Sequence, residues 1–315
     1  MTGGAGFIGS HLVRRLVQEG ASVTTVVKYR SMIDSVRLAP VWDDIEVVEA
    51  DLRNLDSARS LSKNSYDIVY HLAAYNHVGD SFIHVQESIL SNILATANLL
   101  EAGLEYGRFV YTASSEVYGL QKSVPFAESS MPFPISPYAV GKYGGELYAR
   151  MKHHQTGGEI ICLRPFNTFG PYQSERAVIP ELISKCLRGE TVETTAGRQT
   201  REFNYVGNII DGFVAAGTVA KAPAAPVNIG SGEEIAIADL VRLIHRLTES
   251  ESELRIGALA DRPTEIWRMF ADAGRARDLL GWEPRVDFET GMRLTVNWFR
   301  SFLEVYRGPT GLAKL

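Results

Sequence analysis

The stretch Thr2-Gly-Gly-Ala-Gly-Phe-Ile-Gly9 decides the fold, because it places glycine at every third position, at residues 3, 6 and 9. Missing side chains at such positions let the backbone approach a pyrophosphate closely. An apolar stripe of helical spacing follows directly and ends at Gly20, so the loop opens a helix whose N-terminus can bind phosphate. The predicted cofactor-binding residues of this loop are Gly3, Gly6, Phe7, Ile8 and Gly9.

Short β-branched runs alternate with amphipathic stretches through the first half of the chain. This alternation predicts a parallel sheet with helices on both faces, an α/β fold of the doubly wound, Rossmann type. The predicted strands are residues 23–27, 45–50, 67–72, 109–112 and 160–163. A second helical stripe runs from Ile89 to Leu100 and ends at Gly103. After about Arg164 the alternation loosens, which indicates a smaller α+β lobe for the substrate.

The composition excludes several classes of partner. The 315 residues carry a formal net charge of -5 with both signs interspersed, so nucleic acid is not an expected partner. No apolar run reaches the roughly 18 residues of a membrane span, so no membrane partner is expected. Cys162 and Cys186 are the only cysteines, and neither has a second ligand at metal-binding spacing. We therefore expect no metal and a reducing, cytoplasmic setting.

The adenosine end of the cofactor is predicted at the carboxyl ends of neighbouring strands. Asp51 follows the strand at 45–50, where its carboxylate can accept a hydrogen bond from the adenine amino group. Lys28 and Arg30 follow the strand at 23–27, where a ribose-binding carboxylate is usual. The two cations can instead neutralise a 2′-phosphate, although solvated surface charges are the alternative interpretation. We therefore expect NAD(P)+, with a slight preference for NADP+.

Tyr138 and Lys142 lie four residues apart after Ser136-Pro137, a typical helix start, so the phenol and the ammonium share one helical face. A free phenol has a pKa near 10, and ionising it at neutral pH requires a shift of about 3, or roughly 4 kcal/mol. A nearby lysine ammonium and a nicotinamide can share that effect. Tyr138 is therefore the predicted base, and an ordinary surface pair is the alternative.

Ser114 and Glu116 follow the strand at 109–112, at the edge where ligands of such folds bind. Ser114 can hydrogen-bond the hydroxyl being oxidised, and Glu116 can abstract a carbon-bound proton made acidic by the resulting ketone. A structural cap is the alternative for Glu116. In the second half, Arg201 and Arg262 offer planar donors suited to a diphosphate, although each alone is typical of a surface ion pair.

Together these segments resemble the extended short-chain dehydrogenase/reductase family, the nucleotide-sugar epimerases and dehydratases, along essentially the whole chain. The matching segments are residues 2–9, 71–74, 114–119, 136–142, 164–171, 201–206 and 280–282. The resemblance implies a catalytic triad of Ser114, Tyr138 and Lys142, and a homodimer formed through the 89–100 helix. The implied cofactor contacts add Leu52, Ala73 and Ala74, and also Tyr138 and Lys142. The implied ligands of a nucleotide-diphosphate sugar are Ser115, Asn167, Val178, Arg201 and Arg262.

Within that family, the Ser-Ser-Glu stretch at 114–116 is similar to dehydratases and to UDP-glucuronate decarboxylases. Residues 173–180 and 262–265 look most like bacterial UDP-N-acetylglucosamine 4,6-dehydratases. The resemblance implies transient oxidation at C4 of the sugar, loss of water across C5 and C6, and return of hydride to C6. Decarboxylation, 4-epimerisation and 4-ketoreduction are the alternatives, and a non-catalytic dinucleotide sensor is the alternative from another class.

Members of that family begin with a β-strand ahead of the glycine loop, whereas this sequence starts at Met1. That strand is central in a doubly wound sheet, so its loss should cost more than the net stability of a fold. We therefore expect the first strand to be missing, and hypothesise that the recorded start is late. The dinucleotide-binding domain is expected at 1–165, with 204–222 returning to it, and the substrate lobe mainly at 166–203 and 223–315.

Overall fold

The computed structural model describes residues 1–28, 35–261 and 265–305. Its strands are β1 (Val23–Val27), β2 (Ile45–Glu49), β3 (Ser65–His71), β4 (Glu105–Thr112), β5 (Ile160–Pro165), β6 (Thr168–Phe169), β7 (Val192–Thr194), β8 (Thr200–Arg201), β9 (Asn204–Tyr205), β10 (Val227–Ile229), β11 (Ile235–Ala236), β12 (Leu254–Ile256) and β13 (Arg268–Met269). Its α-helices are α1 (Phe7–Gln18), α2 (Ser35–Leu38), α3 (Leu55–Arg59), α4 (Val78–Ser81), α5 (Val85–Ile89), α6 (Ala95–Glu101), α7 (Pro137–Thr156), α8 (Val178–Arg188), α9 (Val206–Thr218), α10 (Ile237–Thr248), α11 (Gly274–Leu280) and α12 (Phe288–Val305). A π-helical turn, Leu90–Leu94, joins α5 to α6.

Within the described residues, the parallel strands form a pair, β2 and β1, and a group of four in the order β3, β4, β5, β10, and Thr2 bridges β1 to β3. The five strands predicted from the sequence are all present, with ends that differ by a few residues. Strand β5 is buried along its whole length, as expected for a strand covered by helices on both faces. The α/β fold class is therefore confirmed.

Alternate residues of the strands face two different helical layers. Phe109 and Cys162 pack on the side of α3, α6 and α7, whereas Val110 and Ile161 pack on the side of α1, α9 and α11. Because helices cover both faces, β5 is buried throughout and β4 is buried over its last five residues. Helix α9 packs on α1 and β4, where the return of 204–222 was expected. The sheet also takes β10 from the 223–315 region, and the wider division into lobes stays a prediction.

Met1 and Thr2 lie between the carboxyl ends of β1 and β3. The Thr2 amide donates to the Tyr70 carbonyl at 2.9 Å, and the Val26 amide donates to the Met1 carbonyl at 2.7 Å. Thr2 thereby bridges both halves of the sheet, which the sequence reasoning did not anticipate. Below these two residues lies a cavity of about 920 Å³, bordered by β1, β3 and Leu16.

The smaller lobe is α+β, as predicted. Strand β8 pairs antiparallel with β11 and parallel with β13, while β6 pairs with β9 and β7 with β12. Helices α8, α10 and α12 cover these short strands around a shared apolar core that includes Phe169, Ile183, Leu240 and Val296. Across the described parts of the chain, no helix combines the length and the apolar character needed to cross a membrane.

Candidate active site

A groove follows the carboxyl edge of the large sheet, where ligands of doubly wound folds bind. It consists of two adjoining cavities of about 350 and 280 Å³. Gly3, Gly6, Leu72, Ala74 and Asn76 line both cavities, so the glycine loop lies at the junction. The larger cavity extends to the ends of β1 and β2, and the smaller one to β4, β5 and α7. A long ligand lying across the glycine loop can therefore reach both ends.

The glycine loop has the geometry of a diphosphate cradle. Gly3 has a φ of +72°, and a side chain there would lie 2.6 Å from the Ala73 nitrogen. A Cβ at Gly9 would lie 2.0 Å from the Gly3 carbonyl oxygen, so only glycine lets α1 start this close to the loop. No side chain among the described residues caps α1, and its first amides lack intrahelical acceptors. These amides and the helix dipole fit the diphosphate of a dinucleotide.

The larger cavity contains the residues predicted for the adenosine end. Its walls include the predicted residues Lys28, Asp51, Leu52, Ala73 and Ala74. Both carboxylate oxygens of Asp51 accept hydrogen bonds from Arg53, at 2.9 Å from Nε and 2.5 Å from Nη2. These bonds lower the pKa of Asp51 to about 2, so Asp51 stays ionised at neutral pH. Arg30 lies outside the described residues.

The smaller cavity is lined by the four predicted catalytic residues, Ser114, Glu116, Tyr138 and Lys142, and also by Ser115. Helix α7 begins where predicted, because the Ser136 hydroxyl caps it by accepting from the Ala139 amide at 3.1 Å. This start places Tyr138 and Lys142 one turn apart on the wall of the cavity. The Lys142 ammonium donates to the Thr112 carbonyl at 2.5 Å, so the end of β4 holds the lysine in position.

Burial controls the protonation of this cluster. It raises the pKa of Tyr138 to about 12, against a hydrogen bond with Ser114 that lowers it. It lowers the pKa of Lys142 to about 7 and raises the pKa of Glu116, while the nearby Arg201 guanidinium acts in the opposite direction on Glu116. Strongly shifted groups that converge in one cleft are typical of acid–base sites. The Tyr138 phenol needs added positive charge before it can ionise near neutral pH.

The alternative role of Glu116 was that of a structural cap, but the residue that caps this turn is Ser114. The turn Ser115–Tyr118 is capped by Ser114, whose oxygen accepts from the Glu116 amide at 3.2 Å. The Glu116 side chain is therefore available to the cavity that it lines.

The residues predicted for the sugar nucleotide are more dispersed. Asn167 lines the smaller cavity, and its amide donates to the Glu202 carbonyl at 3.1 Å. Arg201 Nη2 is ion-paired with Glu265 at 2.6 Å, and Nη1 donates to the Thr200 carbonyl at 2.8 Å, so part of the guanidinium is already engaged. Val178 begins α8 with 39% of its surface exposed and is not among the residues that line the two cavities. Arg262 lies outside the described residues.

Sequence reasoning missed Asn76, Asn92 and Gln173. Asn76 lines both cavities. Asn92 is buried and makes two hydrogen bonds with the Tyr75 backbone, of 2.9 and 3.1 Å, which fix the loop after β3. Gln173 lines the smaller cavity, and within the described structure its buried Oε1 has no hydrogen-bond partner. No local pattern distinguishes such amides, because their roles arise only from tertiary contacts.

Within the described ranges, no group of three or more histidine, cysteine, aspartate or glutamate side chains is placed to hold a metal ion.

A doubly wound sheet, an uncapped glycine-rich helix start and a tyrosine–lysine pair in one groove define an NAD(P)-dependent enzyme of the extended short-chain dehydrogenase/reductase class. The sequence pattern of the family described as GDP-mannose 4,6 dehydratase matches residues 1–295, and the chain belongs to that family. The resemblance inferred from the sequence is thereby confirmed. The chain is an NAD(P)-dependent enzyme of the nucleotide-sugar dehydratase and epimerase group.

Individual relatives differ in the reaction that their names give. The chain is 34% identical to UDP-glucuronic acid decarboxylase 1 of Xenopus tropicalis, over 96% of this chain and 72% of that protein. It is 31% identical to UDP-glucose 4-epimerase of Mycolicibacterium smegmatis, over 96% and 98%. Among solved structures, dTDP-glucose 4,6-dehydratase of Streptomyces venezuelae with NAD bound superposes with a TM-score of 0.87, at 31% identity over 96% and 97% of the two chains.

Proposed function

We propose that this enzyme is a nucleotide-sugar 4,6-dehydratase that forms a 4-keto-6-deoxy sugar nucleotide. The observation that supports this most directly is the position of Glu116 in the same cavity as Tyr138, Lys142 and Ser114. An epimerase needs to move hydride at C4 alone, whereas dehydration also needs a base for the C5 proton. Glu116 is a carboxylate suited to that second task.

The proposed reaction divides between the tyrosine and the glutamate. The cofactor, when bound, supplies a hydride acceptor and later a hydride donor, so it leaves unchanged. Tyr138 removes the proton from O4 as the C4 hydride departs, with Ser114 hydrogen-bonded to the same oxygen. Lys142 holds positive charge near the phenolate and favours its ionisation. The resulting C4 ketone acidifies the C5 proton.

Glu116 then takes the C5 proton, and the C6 hydroxyl leaves. Ser115 stands where dTDP-glucose dehydratases carry an acid, so Glu116 is the group in this cavity that can pass its proton to the departing hydroxyl and release water. Hydride is then added at C6 and one proton at C5. The proton added at C5 balances the proton removed from O4. The sugar thus loses water and undergoes no net oxidation.

The substrate proposed is a nucleotide-diphosphate sugar of the UDP-N-acetylglucosamine type. Support comes from the resemblance at 173–180 and 262–265 and from the adjacency of Asn167 to the reactive cavity. Arg201, with Arg262 as a second expected ligand, is proposed to bind the diphosphate, in which case Arg201 must exchange its partner Glu265 for the ligand. The 34% identity with a decarboxylase makes decarboxylation of a uronic sugar nucleotide the second candidate.

The mass of the product distinguishes these reactions. Incubation of the enzyme with NAD(P)+ and a panel of nucleotide sugars should give a product lighter than its substrate by about 18 mass units, because water is lost and hydride is returned. Loss of about 44 mass units would establish decarboxylation. An unchanged mass with a new sugar stereochemistry would establish epimerisation. Either of these results, without the first, would contradict the dehydratase proposal.

The preference for NADP+ expected from Lys28 and Arg30 stays a prediction. In the structure Lys28 is ion-paired with Glu87 at 3.1 Å, so the cation is partly neutralised.

We also propose that the enzyme is a homodimer formed by an apolar face on α7 and the neighbouring π-helical turn. Val140, Leu147 and Met151 are 44%, 46% and 44% exposed and follow one side of α7, and Leu94 beside them is 40% exposed. A cluster of exposed apolar side chains on adjacent helices is typical of a subunit interface. A symmetric pairing of two such faces buries all of these side chains.

Substitution of Leu147 by glutamate should convert the dimer into a monomer, because it places two charges at the centre of a symmetric apolar interface. Light scattering after size exclusion should give about 70 kDa for the native protein, twice the 34.8 kDa chain, and half of that for the variant. Leu259→Glu is the matched control, since Leu259 is 50% exposed in the smaller lobe. A native mass of one chain, or a dimer unaffected by Leu147→Glu, would refute this interface.

A further inference from the structure

Four charged side chains form a continuous chain along the adenosine end of the groove. Glu87 Oε1 lies 3.1 Å from Lys28 Nζ, and Glu87 Oε2 lies 2.5 Å from Arg53 Nη1. Arg53 in turn binds both oxygens of Asp51. All four residues line the same cavity as the glycine loop. The charges of the two cations and the two carboxylates cancel, so these four residues together give the cavity wall no net charge.

Glu87 is the member of this chain that sequence patterns do not mark. It lies on α5, far in sequence from β1 and β2, and its carboxylate reaches across to the residue that follows β1. The usual ribose-binding carboxylate would follow β1 itself, where this chain has Lys28. The fold therefore supplies from a helix the negative charge that is absent at the strand end.

We infer that Glu87 determines how strongly this enzyme discriminates between NAD+ and NADP+. A carboxylate here can accept a hydrogen bond from a ribose hydroxyl, and it repels a 2′-phosphate that carries about two negative charges. The same carboxylate neutralises Lys28 and Arg53, the cations that would bind such a phosphate. The inference depends on the dinucleotide site alone and on no assignment of the sugar or of the reaction.

Removing Glu87 or Lys28 changes the net charge of the cavity wall in opposite directions. Without Glu87 the wall keeps Lys28, Arg53 and Asp51 and has a net charge of +1, which favours a 2′-phosphate. Without Lys28 the net charge becomes -1, which disfavours it. The side chains of Glu87 and Lys28 are 34% and 50% exposed, so solvent screens these effects. We therefore expect changes of about tenfold in relative affinity, well below those of a fully buried charge.

Isothermal titration calorimetry of NAD+ and NADP+ with native protein, Glu87→Gln and Lys28→Gln tests the inference. Glu87→Gln should shift the ratio of the two dissociation constants about tenfold towards NADP+, by weakening NAD+ and strengthening NADP+. Lys28→Gln should shift the ratio towards NAD+. Glu105→Gln is the control. It removes the same charge from the exposed start of β4, at the amino ends of the strands, and should leave the ratio of the two dissociation constants unchanged.

Two further measurements keep the result interpretable. ADP and adenosine 2′,5′-bisphosphate should reproduce the shift, because the effect arises at the ribose and needs no nicotinamide. Thermal unfolding of Glu87→Gln verifies that the variant is folded. Parallel changes in the affinities of both cofactors, or a change in ratio no larger than that of Glu105→Gln, would overturn the inference. No turnover is measured, so failure of the dehydratase proposal leaves this test unaffected.

Discussion

Tyr138→Phe should lower kcat/KM about 10³-fold on the correct sugar nucleotide while leaving cofactor affinity nearly unchanged. The substitution removes one oxygen from the wall of the smaller cavity, and that oxygen is the proposed acceptor of the O4 proton. Loss of a general base typically costs 10²- to 10⁴-fold, from which the expected value is taken. Steady-state kinetics and calorimetry on the same preparation measure the two quantities.

The loss should fall mainly on kcat, because the hydroxyl of Tyr138 acts on a proton that moves only in the transition state. Tyr143→Phe is the matched control, since Tyr143 lies on the same helix and packs against Val117 and its apolar neighbours, away from the groove. It should retain near-native kinetics. Full turnover by Tyr138→Phe would show that the tyrosine is not the base, and the other assignments in the cavity would need revision.

The pKa values of Tyr138 and Lys142 explain why the phenol depends on its surroundings. Its pKa of about 12 and that of Lys142 of about 7 are both displaced by burial in the direction of the neutral form. A neutral phenol is a poor base at neutral pH. A diphosphate placed at the start of α1 would favour the charged lysine, and the charged lysine would favour the phenolate. In the proposed mechanism, ligand binding would therefore activate the pair.

The features predicted correctly from the sequence are those encoded by neighbours along the chain. The glycine spacing at 3, 6 and 9, the apolar strand runs and the capped start of α7 at Ser136 each depend on a few consecutive residues. Local backbone geometry and periodic burial determine such features directly. The sheet, the groove and the positions of Tyr138 and Lys142 therefore followed from patterns alone.

The features that were missed join distant segments. Glu87 is ion-paired with Lys28, which lies 59 residues away in the sequence, and Arg201 with Glu265, which lies 64 residues away. An ion pair of this kind leaves no periodic signal, because either charge alone is typical of a solvated surface. The bridge that Thr2 makes between β1 and β3 is likewise invisible in two residues of sequence. Sequence reasoning thus identified side chains that share the candidate site but not the long-range ion pairs between them.

Glu116→Gln should separate the two halves of the proposed reaction. Oxidation at C4 needs Tyr138 and Lys142, whereas water loss needs a base for the C5 proton. The amide of glutamine keeps the shape of the side chain but cannot accept that proton. Dehydration should therefore fall about 10³-fold while reduced cofactor accumulates on the enzyme. Absorbance at about 340 nm and the mass of the product, measured in one stopped reaction, report the two steps separately.

Ser115→Ala is the comparison within the same cavity. A serine hydroxyl is too weak an acid to expel the C6 hydroxyl efficiently at neutral pH, so this variant should lose far less activity than Glu116→Gln. If Ser115→Ala were as damaging, proton delivery to the leaving hydroxyl would pass through Ser115 and the double role of Glu116 would be wrong. Thermal unfolding of both variants separates loss of chemistry from loss of structure.

The pH dependence provides an independent test of Glu116. The residue must be ionised to take a proton, so dehydration should decline as pH falls through its pKa. Burial raises that pKa, against the opposing effect of Arg201, so the decline should begin at a higher pH than for an exposed glutamate. The profile of kcat/KM should lose this acidic limb in Glu116→Gln, while the C4 oxidation measured by absorbance keeps its own pH dependence. An acidic limb that persists unchanged in the variant, or dehydration at the native rate, would assign the C5 proton to another group and would remove the observation on which the dehydratase proposal depends.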